Sequence, residues 1–134
     1  MSNSPGILFD WARAARIGLP EAVFCEGKPA AALENLARMM AAENAQPVLF
    51  TRLDPSWGEG FFTTLGVPFN YDRLSRTGWF RACDARPGRV AIVCAGTADV
   101  PVTREVARTL TYLGISAVLF EDCGVAGLWR LESK

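Results

Sequence analysis

Hydrophobic and polar positions along the C-terminal third of the chain follow the order strand, helix, strand. Val90–Cys94 and Ile115–Phe120 are short apolar runs of the kind that a parallel sheet buries on both faces. Between them, apolar residues recur at helical spacing and predict a crossover helix with a buried stripe of Val102, Val106, Leu110 and Leu113. Two parallel strands and one helix cannot close a sheet, so we expect this part of the chain either to pair with strands from elsewhere or to be half of a domain.

Turn and cap residues mark the ends of that helix. Asp99 can cap it, Pro101 fits its first turn, and Gly114 can end it. The strand-to-helix turn before it has the sequence Ala95-Gly96-Thr97-Ala98-Asp99, and the second strand leads through Asp122 into another glycine turn.

The N-terminal part has the pattern of a small α/β unit. Ile7–Ile17 has a helical pattern with Leu8, Trp11, Ala12 and Ala15 on one face, and Gly18 ends it. A second helix begins at Pro29 and runs to about Asn44, with a predicted core face of Leu33, Leu36, Ala37 and Met40. Short strands are predicted at Glu21–Phe24, Val48–Thr51 and Val67–Tyr71, and a weak helix at Pro55–Gly66.

A Pro-Gly segment, Arg81–Gly88, separates the two parts, so we predict domains at residues 1–86 and 87–134. The predicted fold class is α/β: a small α/β N-terminal region followed by an incomplete parallel-sheet domain.

Composition narrows the possible functions. The chain has 134 residues, half of them apolar, and its 14 basic and 14 acidic side chains cancel, which disfavours nucleic acid and anionic membranes as partners. No apolar run is long enough to span a bilayer, and we expect a soluble cytoplasmic protein. The absence of histidine excludes histidine-dependent triads and histidine-ligated zinc, and no metal site is predicted.

The four cysteines, Cys25, Cys83, Cys94 and Cys123, have no paired C-x-x-C spacing. Two of them end or follow apolar strands, where a free thiol behaves as a small hydrophobic side chain. We interpret all four as structural and assign no catalytic residue.

The two glycine turns are the first candidate site. Parallel strands end at one edge of a sheet, so Gly96-Thr97-Ala98-Asp99 and the second turn should lie side by side, where backbone N–H groups and a hydroxyl can hold an anion. The alternative is that both are ordinary turns of an α/β protein. The candidate residues of the second turn are Asp122, Gly124, Val125, Ala126, Gly127 and Arg130.

Mixed charges in the N-terminal part form the second candidate set. They either pair with one another on a solvated face or bind an anion such as phosphate. These residues are Asp10, Arg13, Arg16, Glu21, Lys28 and Arg52.

Several ordered motifs resemble a known family. The N-terminal run Asp10-x-x-Arg13-x-x-Arg16-x-Gly18-x-Pro20-Glu21, with Glu26-Gly27-Lys28 and Thr51-Arg52, resembles the pyridinium biscarboxylic acid mononucleotide synthases, the LarB-type enzymes of nickel-pincer cofactor biosynthesis. Two further runs, residues 95–102 and Asp122-x-Gly124-Val125-Ala126-Gly127-Leu128-x-Arg130-Leu131, resemble a second domain of the same family, which is similar to aminoimidazole ribonucleotide (AIR) carboxylases. This resemblance implies that residues 87–134 are the first half of a flavodoxin-like three-layer domain.

The resemblance implies an activity and its substrates. The family carboxylates the pyridinium ring of nicotinic acid adenine dinucleotide with carbon dioxide or bicarbonate, aided by Mg²⁺, and cleaves the phosphoanhydride to release AMP. A cysteine in the family's C-terminal half attacks the ring covalently. The resemblance places the Gly96–Asp99 turn, Asp122 and Gly124–Gly127 at the substrate-binding edge, and it implies no covalently bound cofactor.

Two departures separate the chain from the family pattern. Trp129 occupies the position of a family histidine and cannot titrate near neutral pH. None of the four cysteines matches the nucleophile, whose region would follow Lys134. We therefore expect the N-terminal portion of a synthase, inactive by itself.

Two other functions stay open. One is a non-catalytic nucleotide-binding or assembly protein that pairs with another copy or a complementary chain. The other is a carboxylase acting on a purine-pathway nucleotide, against which the N-terminal motif argues.

Overall fold

A computed structural model describes residues 7–42 and 46–134. The chain divides into two compact units, Met1–Ala82 and Cys83–Lys134, and each is described by itself. Among the described residues, no helix is both long and apolar enough to cross a membrane. The architecture is α/β, as the sequence predicted. The strands form both parallel and antiparallel pairs.

The first unit contains helices and a four-stranded mixed sheet. Its elements are α1 (Arg13–Ile17), β1 (Ala22–Phe24), α2 (Ala30–Ala41), β2 (Leu49–Thr51), α3 (Pro55–Gly58), a 3₁₀ turn (Phe61–Leu65), β3 (Asn70–Asp72) and β4 (Thr77–Trp79). The strand order in the sheet is β1-β2-β4-β3. Strands β1 and β2 are parallel, and the other two neighbouring pairs are antiparallel.

Helix α2 confirms the predicted core face, since the four residues named from the sequence are its buried ones. Pro29 immediately precedes the first helical residue, where its missing N–H costs no hydrogen bond. The helix ends at Ala41, and the predicted end at Asn44 lies outside the described residues.

The helix predicted at Ile7–Ile17 is largely wrong. Only Arg13–Ile17 is helical, and Gly18 ends it in a left-handed conformation with φ 76°. Ile7, Phe9 and Trp11 pack against the core at every second position, which is the spacing of an extended segment. Leu8, predicted on the buried face, is 94% exposed as a result.

Aromatic side chains complete the core of the first unit. Phe50 contacts Phe62 edge to face at 5.0 Å between ring centroids, and Phe62 stacks on Phe80 at 5.8 Å. The predicted helix at Pro55–Gly66 is instead α3 and a 3₁₀ turn, divided at Gly60, where a Cβ atom would lie 2.1 Å from the Ser56 carbonyl oxygen. The strand predicted at Val67–Tyr71 begins only at Asn70.

Strand β4 was not predicted from the sequence, although all three of its residues are buried. It lies between β2 and β3, and a Cβ atom on its central Gly78 would lie 2.5 Å from the Phe69 ring. Glycine at this position allows the aromatic ring to pack directly on the backbone.

The second unit contains β5 (Arg89–Val93), a 3₁₀ turn (Thr97–Asp99), α4 (Val100–Tyr112), β6 (Ser116–Phe120), a 3₁₀ turn (Val125–Gly127) and α5 (Leu128–Glu132). Strands β5 and β6 are parallel, in the register Arg89↔Ser116 to Val93↔Phe120. This confirms the parallel strand pair and crossover helix. In the described part of the chain no other strand joins this sheet.

Helix α4 buries its predicted face only in part. Thr103, Ala107 and Tyr112 are its buried residues, whereas Val102 and Val106 are exposed. Thr103 and Ala107 follow Val102 and Val106 by one position, or about 100° around the helix. The other two predicted residues, Leu110 and Leu113, are half-buried. Gly114 follows the helix with φ 78°, as predicted.

The residues next to the predicted boundary bond to the second unit. The Cys83 N–H donates to the Tyr112 carbonyl at 2.8 Å, and the Arg86 N–H donates to the Gly114 carbonyl at 2.8 Å. The compact units therefore meet at 82/83, whereas the sequence placed the domain limit at 86/87.

A matched pair of leucine substitutions tests the packing of the first unit. Leu33 is 4% exposed and Leu8 is 94% exposed. We expect Leu33→Ala to lower the free energy of unfolding by about 2–5 kcal/mol through a core cavity, and Leu8→Ala to change it by less than about 0.5 kcal/mol. Urea unfolding followed by tryptophan fluorescence measures both. Equal losses would show that residues 7–11 are packed as the predicted helix.

Candidate functional site

Two turns begin side by side at the carboxyl ends of β5 and β6. The Cys94 N–H donates to the Phe120 carbonyl at 2.9 Å, and the Cys123 N–H donates to the Cys94 carbonyl at 2.9 Å. Hydrogen bonding between the two chain segments thus continues past the ends of both strands. The sequence predicted that both turns share one sheet edge, and the structure places them there.

Glycine at position 124 lets the turns meet. A Cβ atom there would lie 2.9 Å from the Ala95 carbonyl oxygen, too close for any side chain. Asp122 precedes it in a left-handed conformation with φ 56°, which aspartate tolerates better than most residues. These two residues set the separation of the turns.

Asp99 closes the first turn on itself. Its carboxylate accepts the Gly96 N–H at 3.1 Å, and its own N–H donates to the Gly96 carbonyl at 3.0 Å. It makes no side-chain bond to the start of α4, so the cap predicted for that helix acts on the preceding turn instead. The Gly96 N–H is therefore not available to an anion. Thr97 and Ala98 are exposed and supply the next N–H groups at the start of the helical segment.

Arg130 ties the second turn together. Its guanidinium bonds the Asp122 carboxylate at 3.2 Å and lies 5.6 Å from the centroid of the Trp129 ring. Trp129 is 68% exposed. Val125–Gly127 forms the 3₁₀ turn between Asp122 and Trp129.

The combined edge offers two kinds of polar group. The carboxylates of Asp99 and Asp122 accept hydrogen bonds from hydroxyl groups, while Arg130 and the exposed N–H groups of the first turn attract anions. A molecule carrying both hydroxyl and phosphate groups matches this combination.

The N-terminal candidates mostly pair with one another. Arg16 bonds Asp10, and Arg13 lies 3.5 Å from Glu21. Lys28 makes no ion pair or hydrogen bond through its side chain to any described residue. For the two pairs, the arrangement is that of ordinary surface ion pairs.

Arg76 is a residue that the sequence did not single out. Its guanidinium donates to the Arg52 carbonyl at 3.1 Å and lies 3.8 Å from Glu26. Arg52 and Arg76 both have positive φ, 52° and 57°, at adjoining turns. Arg76 was missed because it immediately precedes β4, a strand that the sequence pattern did not predict.

The cysteines have the surroundings of structural thiols. All four are free, and only Cys83 is not fully buried. Burial raises the pKa of the Cys25 thiol to about 12, despite the opposing effect of nearby Lys28. Burial also raises the pKa of Cys83. Cys94 and Cys123 each donate to a carbonyl two residues away, at 3.6 Å.

Metal-binding side chains are not clustered in the described ranges. No group of three or more histidine, cysteine or acidic side chains there could hold an ion. The described residues therefore do not form a Mg²⁺ site of their own.

Comparisons with known proteins agree with the motifs. The LarB/PurE-like N-terminal domain family matches residues 7–81, more than half of the 134 residues. A 44-residue segment is 46% identical to the uncharacterized protein MJ0165 of Methanocaldococcus jannaschii, covering 33% of this chain and 17% of that protein. The chain thus spans only a small part of that relative. The family description relates the chain to PurE-like carboxylase and mutase proteins. This chain belongs to the LarB/PurE-like N-terminal domain family.

Proposed function

We propose that this chain contributes a nucleotide-binding part of a synthase that carboxylates the pyridinium ring of nicotinic acid adenine dinucleotide and cleaves its phosphoanhydride to release AMP. Carbon dioxide or bicarbonate is the proposed co-substrate. Family membership supports the carboxylase relationship. The choice of this dinucleotide as the substrate rests on the resemblance of the motifs at residues 10–28 and 95–131.

The observation that carries the binding role is the contact between the two turns. Gly124 brings the second turn against Ala95, so the exposed N–H groups of the first turn and the carboxylate of Asp122 serve one ligand. In this arrangement the dinucleotide places a phosphate at Thr97 and a ribose hydroxyl at a carboxylate. Open α/β sheets bind ligands at this end of their parallel strands.

Mg²⁺ accompanies the substrate in this proposal, since the described residues do not cluster as its ligands. Phosphates commonly supply part of the coordination of this ion. The chemistry derived for this chain is limited to binding and orienting the nucleotide.

The nucleophile is proposed to lie outside this chain. A cysteine attacks best as the thiolate, and burial keeps Cys25 protonated at neutral pH. The other thiols do not match the family's nucleophile motif. We therefore propose that the chain by itself does not turn over the dinucleotide.

Purified chain incubated with the dinucleotide, bicarbonate and Mg²⁺ is expected to release no AMP above the protein-free control. Chromatographic measurement of AMP tests this directly. AMP release that disappears when any one cysteine is replaced by serine would contradict the structural interpretation of the cysteines.

Binding without turnover is expected from the turns. The dinucleotide should quench or enhance the fluorescence of Trp129, which is exposed beside Arg130. Gly96 has extended backbone and only the Asp99 carboxylate near its missing Cβ, at 3.8 Å. Gly96→Val should therefore fold and block close approach of the ligand. Thr97→Val should weaken binding about five-fold, the loss of one hydrogen bond of about 1 kcal/mol.

Thr111→Val, at the opposite end of α4, is the matched control and should leave dinucleotide affinity unchanged. Equal affinity of the wild type and Gly96→Val would mean that the turn is only structural. A common loss in all three variants would indicate a general effect on folding.

A second candidate function is assembly with another chain. In the described part of the chain, β5 and β6 have unpaired outer edges, and a cavity of about 290 Å³ on their sheet is lined mainly by apolar residues such as Val90 and Val118. Unpaired edges and uncovered apolar surface favour association. Another copy of this chain is the proposed partner.

Sedimentation at micromolar concentration is expected to show oligomers. Val90→Lys, on the sheet cavity, should shift the population to monomer, whereas Val102→Lys, on exposed α4, should not. A stable wild-type monomer would contradict assembly through this sheet. Dissociation by Val102→Lys alone would assign the interface to the helix.

A further inference from the structure

A cleft in the first unit lies beside strand β1. Its volume is about 290 Å³, and it is formed by the extended residues 7–9, strand β1 and helix α2. Val23 and Leu36 are the buried residues of its lining, while Leu8 and Phe24 are exposed. The cleft is thus an apolar depression that is open to solvent.

Among the described residues, no strand pairs with the outer edge of strand β1. It lies at the end of the sheet order, and its other edge pairs with β2. The Cys25 N–H donates to Thr51, so alternation directs the peptide groups of Val23 toward β2 and those of Ala22 and Phe24 away from it. Ala22 and Phe24 both line the cleft. The backbone N–H groups of Ala22 and Phe24, which bond to no residue in the ranges 7–42 and 46–134, therefore lie beside the apolar surface.

The charges around the cleft leave one positive charge uncompensated. Glu21 and Lys28 both line it, and Glu21 already pairs with Arg13 at 3.5 Å. Lys28 has no ion-pair partner among residues 7–42 and 46–134. An anion at the cleft would satisfy this ammonium group.

We propose that this cleft binds a small carboxylic acid with an apolar body. The carboxylate lies at the Lys28 ammonium group and the apolar body lies against Val23 and Leu36. Ligand pockets combine an apolar lining with a few placed polar groups and span roughly 300–1,000 Å³, so this volume suits a small molecule. β1 has only three residues, too few to hold a peptide strand by backbone pairing.

All residues that line this cleft lie in the first unit, whereas both glycine turns lie in the second. Loss of either binding activity is therefore expected to leave the other intact. Benzoate is a suitable probe, since it joins a carboxylate to a flat apolar ring. Benzamide has the same ring without the charge.

Titration of the full chain with benzoate, followed by amide chemical shifts, tests the proposal. We expect saturable shifts at Ala22, Phe24 and Lys28. Benzamide should bind about five-fold more weakly, the effect of one partly exposed ion pair. Lys28→Met should weaken benzoate binding by the same factor and leave benzamide binding unchanged.

Lys134 is the other lysine of the chain, so Lys134→Met removes the same charge outside the cleft. It should leave benzoate binding unchanged. Ala22→Leu, at an exposed lining residue, should fill the cleft and abolish binding without unfolding the unit. The amide spectrum of each variant reports whether the fold is kept.

Several results would overturn the proposal. These are the absence of saturable shifts at the cleft, equal affinities for benzoate and benzamide, and equal weakening by the two lysine substitutions. A short peptide with an apolar C-terminal residue that shifts the same amides at lower concentration than benzoate would assign the cleft to peptides instead.

Discussion

Parallel pairing of two strands decides where the polar residues lie in each unit. In the second unit, β5 and β6 run in the same direction with a five-residue register, so the turns that follow them emerge at one edge. In the first unit, parallel β1 and β2 bring the turns at Cys25–Lys28 and Arg52 together in the same way. The candidate site at the two glycine turns depends on this geometry, because its residues are far apart in the chain.

The turns of the second unit are held by local bonds, and those bonds limit what they can bind. The Asp99 carboxylate accepts the hydrogen bond of the Gly96 N–H, and the Arg130 guanidinium donates to one carboxylate oxygen of Asp122. A ligand must therefore use the next N–H groups and the remaining carboxylate oxygens. This favours a molecule with both phosphate and hydroxyl groups over a simple anion, since a simple anion would meet two carboxylates.

The sequence predicted those parts of the fold whose signal is local. Helix α2 has an amphipathic pattern and a proline at its start, and the parallel strand pair was evident from two apolar runs around a helix. Strand β4 has no such pattern, because Thr77 is polar and Gly78 has no side chain, and both are buried by tertiary packing. Leu8 and the first part of the α4 face were assigned wrongly because hydropathy alone does not distinguish an extended segment, or a small-residue contact face, from an apolar stripe.

The same distinction applies to the sites. That the two glycine turns lie at one edge follows from strand direction, and so the sequence was sufficient. Whether Arg13 and Arg16 bind an anion or pair with Glu21 and Asp10 depends on tertiary distances that no spacing rule gives. Lys28 differs from them only because the described fold brings no carboxylate to it.

Hydrogen–deuterium exchange of the full chain, with and without nicotinic acid adenine dinucleotide, tests the central claim that the two turns form one ligand site. The account predicts slower exchange at residues 96–99 and 122–127 together, with the amides of β1 unchanged. Protection of only one turn, or of neither, would contradict it.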